Sequence, residues 1–148
     1  MKCYVCGGTP PTATTADMAF INWVAEYKKN IAEMKKWLLI ERIADANDLD
    51  ATLEKGRAYL AYTIELLAAG EGFYIVKRAE QTAIVAADPQ FKMLSTMLQK
   101  NIIEGNSAAQ KAVFTELDRL NACITHSLDV WRSRLSFHKQ ELNTNGRQ

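Results

Sequence analysis

The sequence predicts an all-α fold: an up-down-up-down four-helix bundle with its third rod broken near Asp88-Pro89, preceded by an irregular N-terminal arm. Three observations carry that prediction. The stretch from Asn106 to about Leu142 has neither Gly nor Pro. It sets Val113, Leu117, Leu120, Ile124, Leu128, Trp131, Leu135, His138 and Leu142 at steps of three and four, one apolar stripe along a long helix. Phe20, Val24, Tyr27, Ile31, Met34 and Leu38 form a second seam of the same period. No alternating apolar-polar run of useful length and no internal repeat competes with these helices.

The chain has 148 residues, 48% hydrophobic, 24% charged, with a formal net charge of +1. One domain is the prior for that length, and a chain of this size buries enough surface to fold without disulfides. A charge so near zero argues against nucleic acid or an anionic membrane as the partner. No run approaches the roughly eighteen apolar residues a bilayer span needs. Met1 to Thr15 lacks the apolar core of a secretory signal, and three cysteines cannot all pair within one chain. A reduced, cytoplasmic setting is therefore expected.

Residues 1–14 (MKCYVCGGTPPTAT) read as a separate arm: a Cys/Gly turn and two prolines that no helix can run through. Thr14 followed by Asp17 fits a capping signature, so a first helix is expected from Thr15 to about Ala46. Its Lys28, Lys29, Lys35 and Lys36 repeat away from the seam, a solvated face or a patch for an acidic partner. Asn47-Asp48-Leu49-Asp50 interrupts the pattern. A second helix is expected to about Ala69, with Leu49, Leu53, Leu60, Ile64 and Leu67 inward and Gly70 and Gly72 ending it. A third follows from Phe73 to Ala87. Asp88-Pro89 opens a fourth segment to Glu104, and Gly105-Asn106 is the last break before the long helix. The bundle would span residues 15–142 and a polar tail 143–148.

The sharpest chemical signal is Cys3-x2-Cys6-Gly7-Gly8. In a zinc knuckle two thiolates hold one ion across a tight turn, and glycine after the second cysteine lets backbone amides approach sulfur. A structural zinc wants four ligands. Cys123-x2-His126 on the long helix offers two more on one face, at about 100° and 160° from the centre of its apolar stripe. Extended, the arm is long enough to reach them. A structural zinc held by Cys3, Cys6, Cys123 and His126 is expected on this reading, with free thiols on a loose arm or a redox pair as the other readings. Paired Glu-x-x-His motifs for a di-iron site are absent, as is a phosphate loop.

With no catalytic constellation in the sequence, the expected function is non-enzymatic: a small module of adaptor, inhibitor, immunity or chaperone type that binds another protein, or a second copy of itself. Trp23 and Trp37, with the lysines named above, are the expected partner-binding residues, because aromatic side chains often occupy interface centres. The alternative is a sensory or ligand-binding bundle whose arm reads metal or redox state. Residues 54–78, EKGRAYLAYTIELLAAGEGFYIVKR, resemble the part of the helical anti-sigma proteins of bacteria where an amphipathic helix ends in Ala-Gly ahead of an aromatic-rich helix. That resemblance implies a regulator of transcription as a third reading and assigns no site residue.

Overall fold

The structure, a computed structural model, describes residues 14–40 and 46–145. The order is α1 (Thr15–Leu38), α2 (Ala46–Ala87), α3 (Pro89–Lys92), α4 (Thr96–Asn106) and α5 (Ala108–Asn145), with no strand among the described residues. The chain is all-α. It divides into two compact units, Met1–Glu33 and Met34–Gln148, and the boundary falls inside α1.

In the first unit, Thr14 and Asp17 form the expected capping box. The Thr14 hydroxyl accepts from the Asp17 amide at 3.2 Å, and the Asp17 carboxylate accepts from the Thr14 amide and hydroxyl at 3.3 and 2.9 Å. Two otherwise orphaned donors are thereby satisfied, which fixes where α1 starts. Phe20, Tyr27 and Ile31 are buried, as their spacing required. The Trp23 ring lies between Phe20 and Tyr27, with centroids 6.3 and 4.9 Å away. The helix ends at Leu38, short of the expected Ala46. Leu39 and Ile40 close it with three-residue bonds to the Lys36 and Trp37 carbonyls, and no Gly or Pro in the local sequence marks that end.

The second unit is built on α2 and α5. The Thr63 hydroxyl reaches Asn121 Oδ1 at 3.1 Å, the Tyr74 and Phe114 rings stack at 6.3 Å, and Asn106 donates to Gln81 at 2.8 Å. Thr63 and Tyr74 on α2 meet Asn121 and Phe114 on α5, rising numbers against falling ones, so the two run antiparallel, and Asn106 at the end of α4 continues the trend. The break expected at Gly70 and Gly72 does not occur; α2 is one helix of 42 residues. Each helix-interior glycine costs about 1 kcal/mol relative to alanine. Here the contacts to α5 on both sides of the pair, at Thr63 and Tyr74, hold the backbone in phase and outweigh that cost. Gly70 is itself buried.

The inward face of α2 also differs from the expected one. Leu49 and Leu53 are buried as foreseen, but Ile64 is 53% exposed, and Gly56, Thr63 and Leu66 fill the interior positions instead. Gly56 explains the shift. A Cβ built there would lie 2.5 and 2.8 Å from the Trp37 ring and 2.7 Å from the Leu128 side chain. Three helices meet over that missing side chain.

At the other end, α2 stops at Asp88, whose side chain accepts from the Gln90 amide at 2.8 Å ahead of Pro89. The break near Asp88-Pro89 is thus present. Ser95 then caps α4, splitting the segment expected to run from Pro89 to Glu104 into two helices. Gln99 bridges them, donating to the Phe91 and Leu94 carbonyls at 3.0 Å. Gly105 stays inside α4, with open space where its Cβ would be. The last break is Ser107, fully buried, whose hydroxyl donates to the Ile103 carbonyl. Along α5, Leu117, Leu120, Ile124, Leu128 and Trp131 are buried, while Val113, Leu135 and His138 at the ends of the stripe are half-buried.

Candidate functional site

An open groove of about 700 Å³ runs between the last turn of α1 and the first half of α5. The α5 wall follows from its sequence. Ala108, Ala112, Thr115, Arg119 and Cys123 recur at steps of three and four beside the core stripe, and the small ones leave a channel instead of a ridge. Leu38, Ala108, Ala112 and Leu120 supply an apolar floor. Lys35 and Glu116 meet across it at 2.8 Å, with both side chains partly exposed. Such a pair contributes a few tenths of a kcal/mol and serves chiefly to set where the two walls stand. Lys111 and Arg119 line the same groove, and neither has an ion-pair partner among the described residues. With Glu116 taken up by Lys35, the rim presents two cations beside an apolar strip.

Comparison with protein families, curated proteins and solved structures finds no match for this chain. The likeness of residues 54–78 to anti-sigma proteins also loses its landmark, since α2 continues through the Ala-Gly at which a helix was expected to end.

The residues singled out in the sequence fall into three groups. Cys123 and His126 are both exposed on α5, one turn apart, with Cys123 at one end of the groove. Cys3 and Cys6 lie outside the described residues, and no cluster of three or more His, Cys, Asp or Glu forms among those described. Trp37 is corrected. It is 4% exposed and packs edge-on against Tyr59, centroids 6.1 Å apart, so it is a core residue and not an open anchor. Its ring is what the absent Gly56 side chain makes room for, although its indole nitrogen finds no hydrogen-bond partner among the described residues. Trp23 is half-buried. Lys28, Lys29 and Lys36 are exposed, and Lys35 is tied to Glu116.

Sequence reasoning passed over Lys111, Ala112, Thr115 and Arg119. The signal was present: a column of small residues at helical spacing next to the core stripe, interrupted only by cations. It went unread because the end of α1, which makes the column one wall of a groove, is not marked in the sequence.

Proposed function

We propose that this chain is a protein-binding module whose docking site is the groove between α1 and α5. The occupant would be a partner segment that lays apolar side chains on Leu38, Ala112 and Leu120 and turns carboxylates toward Lys111 and Arg119. The observation that supports it most is the pairing of an apolar floor with two cations that nothing described neutralises. A desolvated apolar strip supplies affinity, and rim charges supply orientation and partner choice. Selection from a displayed peptide library tests this. Enriched peptides should combine acidic and apolar residues and should lose binding to Ala112→Trp, which fills the channel. Lys111→Glu with Arg119→Glu should reverse the charge preference. Peptides indifferent to all three changes would remove the groove from consideration.

A second reading has its own support: Cys123 and His126 share an exposed face of α5 at the spacing a zinc site uses. Joined by Cys3 and Cys6, they would hold a structural zinc that staples the arm to α5. Metal analysis of untagged protein should then find one zinc per chain, lost in Cys123→Ala and equally in Cys6→Ala. Metal-free wild type would end this reading without touching the groove.

A further inference from the structure

The face of α2 turned away from α5 carries a run of exposed small and apolar residues. Ile64, Ala68, Gly72, Ile75, Ala79 and Ala83 recur at steps of four, four, three, four and four, and all six are exposed. Ile64 and Ile75 are more than half exposed, with Val76 beside them at 52%. At Gly72 a Cβ would meet nothing within 4 Å. A soluble helix normally carries its polar residues on the side opposite the core; a helix apolar on both sides is covered on both.

The edge of that face indicates what covers it. Glu71 and Arg78 lie on the same flank of α2, two turns apart, both exposed and neither with an ion-pair partner among the described residues. Laid antiparallel against a copy of itself about a twofold axis near Ile75, the helix sets Glu71 of each chain opposite Arg78 of the other, on one side of the apolar strip, with the exposed Glu65 on its other side. In a parallel pair the charged flanks of the two copies would lie on opposite sides of the seam, and Glu71 and Arg78 would not meet. Small residues at Ala68, Gly72 and Ala79 let the two axes approach closely. A lipid surface fits poorly, because the flanks carry both signs and no cationic rim.

We infer that this chain forms an antiparallel homodimer through the outward face of α2, registered by the reciprocal Glu71–Arg78 pairs. From Ile64 to Ala83 the strip is roughly 30 Å long at 1.5 Å per residue and one helix wide. Its area is below that of a standard interface, which makes the dimer a weak, reversible one. This face is separate from the groove on α5, and either can fail alone.

Sedimentation equilibrium of the full chain, under reducing conditions across the micromolar range, tests it. Wild type should dimerise. Glu71→Arg and Arg78→Glu each turn two attractive pairs into two repulsive ones and should weaken association about tenfold. An equimolar mixture of the two variants should recover it, since every Arg in the mixed pair then faces a Glu. Ala79→Lys, in the seam, should leave monomer only, and Ala112→Trp in the groove should change nothing. Circular dichroism confirms that each variant keeps its helix content. A wild type that stays monomeric, or a dimer indifferent to Ala79→Lys and to the charge reversals, overturns the inference. So does failure of the mixture to recover.

Discussion

Gly56 and Gly72 sit in the same helix and in opposite circumstances. Around Gly56 the space a methyl group would take is already held by the Trp37 ring and Leu128, while around Gly72 nothing lies within 4 Å. The first glycine is a packing residue: its missing side chain lets the end of α1 and the body of α5 close on α2. The second has no such role within one chain and leaves a flat place on an apolar face. Identical residues thus mark where α2 is most constrained and where it is least, and the same substitution separates them.

Gly56→Ala carries the larger effect. Alanine gains up to about 1 kcal/mol of helix propensity over glycine, but overfilling a packed junction costs about 1–3 kcal/mol. The Trp37 Cζ2 and Cη2 atoms, 2.5 and 2.8 Å from the new methyl, are held from all sides, so the steric term wins. Chemical denaturation should show a net loss of about 1–2 kcal/mol. Trp37→Phe removes both of those ring atoms, so the double variant should lose less than the sum of the two single losses. Strict additivity would mean that the ring and the glycine do not meet.

That junction also shows which parts of the fold could be read in advance. The α5 stripe was legible from Leu117 to Trp131, because a long uninterrupted period of three and four leaves one choice of buried face. The capping box at Thr14 and the stop at Asp88-Pro89 were legible because their chemistry is local. Gly56 was not. Its meaning lies in residues distant in the chain, Trp37 and Leu128, and a glycine between two leucines reads equally well as a weak point. Gly70 and Gly72 were misread for the converse reason: glycine ends an isolated helix readily, but a helix gripped at Thr63 and Tyr74 carries it through. Of the candidate site, the Cys123 and His126 face was legible from spacing alone. The groove was not, since one of its walls depends on where α1 stops.

Gly72→Ala, the smaller effect, has the opposite sign. The backbone there is helical, the new methyl enters open space, and the substitution narrows the conformations of the unfolded chain. Dilute protein, below the concentration at which copies associate, should gain about 0.5–1 kcal/mol in the same denaturation experiment. At high concentration the gain should shrink, because the added methyl stands in the seam where two α2 helices approach, and a ligand that binds only the folded state, here the second copy, contributes less when it binds less tightly. A gain independent of concentration would place Gly72 outside any contact between copies, and would leave the open face of α2 without the partner inferred for it.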